Sequence, residues 1–282
     1  MTPSTAVPLE LPVRLSHSFR FSAWWTLFQI SVRQFIRGKR LLVLALIFAL
    51  PTGLASLARY YNVSNPNLVR QLEESMIFYM IPQALVPLTA LVLASGMIRD
   101  EVEGQTITYL LIRPIPRPGI YLAKLLAAWV VAAGLTLVFT TTALTAVYWG
   151  EDGLWGTIIP GHALRVSALS ALSLLVYISL FGGLSLIFRW VLPMGVAYIV
   201  VFEGFCANID FAVRRVTVLW YVRILAERWF GLHVTLWGIN LEEAPSGIEA
   251  LVTLATAALV MALAAAWLFG RRELRVKTPD GS

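Results

Sequence analysis

Six long apolar runs constrain this chain more than any other feature of its sequence. A helix needs about 20 apolar residues to cross the hydrocarbon core of a bilayer. Backbone groups in that core have no water to bond, so a crossing segment must be a helix or a strand of a closed barrel. The runs therefore predict an all-α integral membrane protein with six transmembrane helices. These spans 1 to 6 are predicted at about residues 41–58, 76–97, 125–148, 166–188, 190–207 and 250–269.

Composition supports a membrane protein and argues against a nucleic-acid-binding one. Hydrophobic residues make up 58% of the chain and charged residues only 13%, against about 25% charged in an average soluble domain. The net charge of +6 would suit nucleic acid in a soluble protein. Most basic residues here flank the apolar runs, where they anchor and orient the spans.

The positions of lysine and arginine also predict the orientation in the membrane. Basic residues precede span 1, lie between spans 2 and 3 and between spans 4 and 5, and follow span 6. Short basic loops of this kind stay in the cytoplasm. The prediction is a multi-pass protein of the cytoplasmic (inner) membrane with both termini in the cytoplasm. The arginines between spans 5 and 6 would lie outside the cytoplasm in this orientation, which argues against it. Charges in a long connection, however, have less influence on orientation than charges in a short loop.

The two ends of the chain are expected to be cytoplasmic tails. Residues 1–21 are expected to form a flexible tail and not a signal peptide, because residues 1–20 contain no continuous apolar stretch. Residues 271–282 are expected to form a basic tail, and residues 22–270 a single transmembrane domain.

A basic amphipathic segment precedes span 1. In residues 24–40, Trp, Phe, Val and Ile side chains fall on one helical face, and Arg33, Arg37 and Arg40 on another. Helices with tryptophan on the apolar side and arginine on the polar side lie in the membrane interface. The alternative is a helix that packs on a soluble partner. We favour the interfacial helix because a span follows at once.

The connection between spans 5 and 6 is not simply polar. Residues 208–247 mix aromatic and aliphatic side chains with four arginines. This pattern predicts one or two short helices that are interfacial or re-entrant.

The stretch between spans 2 and 3, residues 98–124, is too elaborate for a plain connector. It opens with acidic residues, continues at helical spacing, breaks at prolines that cannot continue a helix, and carries basic residues. This pattern predicts a short helix and a rigid turn that project toward another molecule. The residues are Asp100, Glu101, Glu103, Thr106, Tyr109, Leu110, Arg113, Pro114, Pro116, Arg117, Pro118 and Lys124.

This stretch resembles the coupling segment of ABC-2 type transport permeases. In that family an acidic helix ending in Thr is followed by a Leu pair, Arg-Pro, a second Arg and a small residue before Lys. The family often has Gly directly before this Thr. In this chain Gln105 separates Gly104 from Thr106. The alternative for these residues is a solvated loop with ordinary positive charges. The matching residues are Glu101, Glu103, Thr106, Leu110, Leu111, Arg113, Pro114, Arg117 and Lys124, and the displaced Gly104 is counted with them as a candidate coupling residue.

The resemblance implies a fold and a function. The amphipathic segment would be the elbow helix, residues 98–124 would hold a cytoplasmic coupling helix, and the connection after span 5 would hold re-entrant helices. The chain would be the permease subunit of an ABC exporter, seated on a separate ATP-binding subunit. A second permease copy, identical or related, would complete the pathway for the transported substrate.

No sequence pattern of catalysis or cofactor binding accompanies these features. The chain has no GxxxxGK[ST] phosphate-binding sequence and no HExxH or nucleophile-elbow motif. Its histidines, His17, His162 and His233, lack metal-ligand spacing. The single cysteine, Cys206, lies in an apolar run, where a thiol is usually a small apolar side chain. We expect no ATPase site, catalytic residue, cofactor or metal in this chain.

Two polar residues inside predicted spans leave alternatives open. Glu203 is the one acid deep in an apolar run, and intramembrane acids mark pathways by default. A structural role, in which Glu203 pairs with Arg165 or Arg214 or reaches the interface, is equally consistent with the sequence. Gln83 is expected to make an interhelical hydrogen bond worth about 0.6 kcal/mol. The second interpretation is a stand-alone carrier driven by an ion gradient, in which Glu203 would be the ion site. A membrane anchor or assembly protein is the third interpretation.

Overall fold

Every regular element that the structure describes is a helix. The structure is a computed structural model that describes residues 21–61, 67, 71–104, 115–149, 158–208, 212–230, 242 and 244–271. Within these ranges six helices are long and apolar enough to cross a membrane. The prediction of an all-α membrane protein with six spans is therefore confirmed.

Further helices precede, follow or separate the six spans. Helix α1 (Phe21–Arg37) precedes span 1, which is α2 (Lys39–Tyr61). Span 2 combines a π-helix (Glu73–Leu85) with α3 (Val86–Gly96), and the short α4 (Arg99–Glu103) follows. Spans 3 and 4 are α5 (Arg117–Val147) and α6 (Ile158–Ile187). Span 5 combines α7 (Val191–Tyr198) with a π-helix (Ile199–Phe205) and a 3₁₀ turn (Cys206–Asn208). A 3₁₀ helix (Ala212–Val216), α8 (Val218–Phe230) and span 6, which is α9 (Gly247–Arg271), complete the chain.

Span 4 lies at the centre of the bundle. Helix α6 contacts spans 2, 3, 5 and 6, and small residues let its neighbours approach closely. Ser167, Ser170 and Ser173 are all buried, and a Cβ added to Gly183 would lie 3.4 Å from the Cβ of Ala265 in α9. Such small residues favour close helix packing in membranes, where apolar burial alone gives no preference between helix and lipid.

Helix α1 lies along the start of span 3. Its Leu27 and Ser31 are buried, and the indole N–H of Trp24 donates to the carbonyl of Gly119 at 3.0 Å. The opposite side of α1 keeps apolar residues such as Trp25 exposed. An exposed tryptophan of this kind suits a helix in the membrane interface. The helix predicted before span 1 is thus present, and its position in lipid stays a prediction.

The helix that contains span 3 begins before the apolar run from which the span was predicted. The α5 helix starts at Arg117, whereas the apolar run starts at Leu125, so Arg117, Pro118 and Lys124 belong to the helix and not to a connector. Pro118 is tolerated because a proline in the first helical turn lacks only an N–H group that would have no helical partner.

The part of the 208–247 connection that is described folds back onto the bundle. Helix α8 contacts spans 4 and 6 and the π-helix of span 2. Two charged residues of α8, Arg223 and Glu227, are buried. Span 6 then starts with an exposed capping box, because the Ser246 N–H donates to the Glu249 carboxylate at 2.9 Å and the Glu249 N–H donates to the Ser246 hydroxyl at 3.2 Å.

Candidate functional site

The predicted coupling residues divide into described and undescribed ones. Thr106, Arg113 and Pro114 lie outside the described residues, as do Leu110 and Leu111. The acidic part of the stretch is the helix α4, which ends at Glu103. We call the place where α1, α4 and the starts of spans 1 and 3 meet the coupling corner, and define it by Gln34, Arg40, Asp100, Glu101 and Lys124.

A buried ion pair lies at the centre of the coupling corner. The Lys124 ammonium donates to Glu101 Oε1 at 2.8 Å, and the two side chains are only 2% and 8% exposed. The Gln34 amide of α1 donates to the same carboxylate oxygen at 3.1 Å. The structure therefore brings Glu101 and Lys124 together inside the chain and joins α1, α4 and α5 through one carboxylate.

A second, exposed ion pair borders the first. Arg40 donates to Asp100 at 2.7 Å, and these side chains are 43% and 44% exposed. The guanidinium lies directly over Gly96, where an added Cβ would overlap it. Sequence reasoning noted the charges of Arg40 and Asp100 but did not pair them, and it missed Gln34 and Gly96. No local pattern relates them, because they come together only when α1 packs along span 3 and α2 contacts span 2.

Two further coupling residues, Gly104 and Arg117, are exposed. Arg117 is exposed in the first turn of α5. Gly104 is exposed and ends α4, where its N–H bonds to the carbonyl of Asp100 at 2.9 Å. These two positions can be reached by another molecule, whereas the Glu101–Lys124 pair is enclosed.

Glu203 binds the start of α8. The residue is 1% exposed. Its Oε1 accepts the Val218 N–H at 3.2 Å, and its Oε2 accepts the Leu219 N–H at 2.9 Å. The Tyr198 hydroxyl donates to Oε1 at 3.1 Å. Val218 and Leu219 are the first residues of α8, so the carboxylate caps the positive end of the helix dipole.

The partners suggested by the sequence for Glu203 are not those found. Arg165 donates to the carbonyl of Trp229 at 3.4 Å, and the guanidinium of Arg214 lies 5.9 Å from the ring centre of Trp220. Neither is among the described partners of Glu203, and the carboxylate does not reach the surface. The sequence could not indicate the backbone N–H groups of Val218 and Leu219 as partners of Glu203. These groups reach the carboxylate only because α8 folds back onto the bundle.

Arg223 joins this region to span 2. Its guanidinium donates to the side-chain oxygens of Asn208 at 2.9 Å and Gln83 at 3.1 Å. Gln83 therefore has its interhelical hydrogen bond, with an arginine of α8 as partner. Burial lowers the pKa of the Arg223 guanidinium from its ordinary value, while nearby Tyr79, Glu203 and Tyr177 oppose the change.

A cavity of about 630 Å³ lies beside this cluster, between spans 2 and 5. Gln83 and Glu203 contribute its polar lining, and both residues lie in π-helical turns. The wider π turns often occur at functional sites. The rest of the lining is apolar and includes Leu88, Val196, Val200 and Phe205.

A comparison with protein families identifies the chain. The family model described as ABC-2 family transporter protein matches residues 25–214, from α1 through all of span 5. A search of curated proteins finds no match. The matched region includes both the coupling corner and Glu203, and it covers well over half of the sequence. The resemblance drawn from residues 98–124 is thereby confirmed, and the chain belongs to the ABC-2 family of transporter proteins.

Proposed function

We propose that this chain is the permease subunit of an ABC exporter, which forms the pathway across the membrane and is driven by a separate ATP-binding subunit. The family match over residues 25–214 carries the proposal. Six spans without a phosphate-binding sequence suit a membrane component whose energy comes from a partner. A second permease copy would complete the pathway.

The coupling corner supports two different roles for its exposed and its enclosed residues in this proposal. The exposed start of α5 with Arg117, and the end of α4 at Gly104, would meet the ATP-binding subunit. The enclosed Glu101–Lys124 pair would fix where α4 projects from the bundle. Exposed charges at a contact set register and orientation through complementarity. Glu101 and Lys124 would thus act on coupling through the position of α4 and not by direct contact.

Reversing the charge at Arg117 tests the proposed function. Arg117→Glu is expected to weaken association with the ATP-binding subunit at least tenfold, because an unpaired charge at such a contact costs about 2–5 kcal/mol. Glu103→Lys is expected to act in the same direction. The measurement is co-purification of the two subunits, with ATP turnover on the same preparation.

The matched control is Arg189→Glu, which makes the same charge change at an exposed arginine between spans 4 and 5. It should leave association unchanged. Unaltered co-purification and ATP turnover in both Arg117→Glu and Glu103→Lys would contradict the proposed contact.

Cysteine labelling tests the proposed orientation. In a Cys206→Ser background, Gly153→Cys is expected to react with a membrane-impermeant thiol reagent in intact cells, and Gln105→Cys only after the cells are opened. The reason is that Gln105 lies in the basic connection between spans 2 and 3, whereas Gly153 lies between spans 3 and 4. Labelling of Gln105→Cys in intact cells would reverse the topology and remove the cytoplasmic site for an ATP-binding subunit.

A structural role for Glu203 is the better supported of the two alternatives. Its carboxylate already accepts two backbone N–H groups and a tyrosine hydroxyl. An ion carrier would need that carboxylate to exchange these bonds for an ion during each cycle. The same bonds suit a residue that seats α8 against span 5, where it borders the cavity between spans 2 and 5.

A further inference from the structure

A second cavity, of about 250 Å³, opens at the coupling corner. It lies where α1 ends, α2 begins, α3 ends and span 3 has its first turns. Three cations line it, Lys39, Arg40 and Lys124, together with one carboxylate, Asp100. The amide of Gln34 is a further polar group in its wall.

The cavity keeps a net positive charge after its internal ion pairs are counted. Arg40 is paired with Asp100, and Lys124 with Glu101 behind the wall. Lys39 is exposed and makes no ion pair within the part of the chain that the structure describes. Arg40 is held in place over Gly96, and a guanidinium has five N–H donors, so one ion pair does not exhaust it. An anion with several acceptor oxygens suits this arrangement.

The residues around the cavity are of the kinds that occur at the level of lipid headgroups. Helix α1 exposes Phe21 and Trp25 in its first turns and Arg33 and Arg37 in its last turns, and helices in the membrane interface combine such residues. On α2 an exposed aliphatic face begins within one turn of Lys39, at Leu42, and continues along the helix. A phosphate in the cavity would therefore have a hydrocarbon-facing surface directly below it.

We propose that this cavity binds the phosphate headgroup of an anionic phospholipid from the leaflet beside α1, with the acyl chains along the exposed face of α2. Basic pockets between membrane helices recognise such headgroups. Lys39 and Arg40 bind the phosphate oxygens, and the bound anion also balances the charge of the coupling corner. The site does not depend on what the protein transports.

Lipid titration of the purified full-length chain tests the site. The chain is placed in neutral phosphatidylcholine nanodiscs, phosphatidylglycerol is added in steps at constant ionic strength, and the thermal unfolding midpoint is followed. The midpoint is expected to rise with saturable dependence on phosphatidylglycerol. Lys39→Gln is expected to need about tenfold more of that lipid, because it removes a charged hydrogen-bond donor to the phosphate. The control Arg33→Gln removes an exposed cation of α1 that does not line the cavity, and it should behave as the parent chain.

The following outcomes would overturn the proposal. Equal losses in Lys39→Gln and Arg33→Gln would mean diffuse attraction to a charged surface. Inorganic phosphate that shifts the midpoint as strongly as phosphatidylglycerol would mean a free-anion site without acyl chains. If Lys39→Gln does not fold in neutral nanodiscs, Lys39→Met is measured instead. It removes the same charge, and an unchanged lipid response in this variant overturns the proposal.

Discussion

Replacing Lys124 with methionine should destabilise the folded protein by about 3–5 kcal/mol, because breaking a buried ion pair leaves a charge enclosed without its partner. Lys124 and Glu101 are 2.8 Å apart and almost fully buried. Methionine keeps the length of the lysine side chain and removes only the ammonium. The measurement is the free energy of unfolding of the solubilised protein, followed by circular dichroism.

Two further variants separate the charge from the packing. The double variant Glu101→Gln/Lys124→Met leaves no enclosed charge, so it should recover most of the lost stability. Arg40→Met breaks the neighbouring pair with Asp100, which is more than two-fifths exposed, and exposed pairs contribute about 0–1 kcal/mol. Equal losses in Lys124→Met and Arg40→Met would show that the Glu101–Lys124 pair is not enclosed as described.

The spans and the first helix could be predicted from local sequence. Hydropathy over about 20 residues and the 3.6-residue period are properties of neighbouring residues, and they needed no knowledge of packing. The helix that holds span 3 begins before the apolar run from which the span was predicted, and the reason is equally local. Pro116 and Pro118 were interpreted as breaks in a connector, whereas the helix begins between them, at Arg117. A proline marks a helix start as well as a helix end.

The contacts of the candidate sites could not be predicted in the same way. Glu101 and Lys124 were singled out as contacts with another protein, yet they bond to each other across the stretch that separates spans 2 and 3. Gln34 joins them only because α1 packs along span 3. Likewise, the bond between Arg223 and Gln83 links residues 140 positions apart. One sequence shows which residues carry charge, but the folded bundle decides which charges meet.

Removing the Glu203 carboxylate should be the second strongly destabilising change. Glu203→Ala is expected to cost about 3 kcal/mol, because it deletes hydrogen bonds from two buried backbone N–H groups to a charged group. Glu203→Gln should cost less, since its amide oxygen still accepts one N–H while its NH₂ group cannot accept the other. The free energy of unfolding measures both.

The capping residue of span 6 provides the matched control for Glu203. Glu249 also binds a backbone N–H at the start of a helix, but it is exposed, so Glu249→Ala should cost about 0.5–2 kcal/mol.

Transport by the reconstituted complex is measured on the same variants. A structural role predicts that transport falls in step with the folded fraction, with Glu203→Ala the most affected. Normal stability of Glu203→Gln with transport abolished would contradict that role and make Glu203 part of the pathway. Such a result would also favour the ion-driven carrier. It would mean that the bonds from the backbone N–H groups to the Glu203 carboxylate do not stabilise the fold, so the carboxylate could bind a proton or a cation instead.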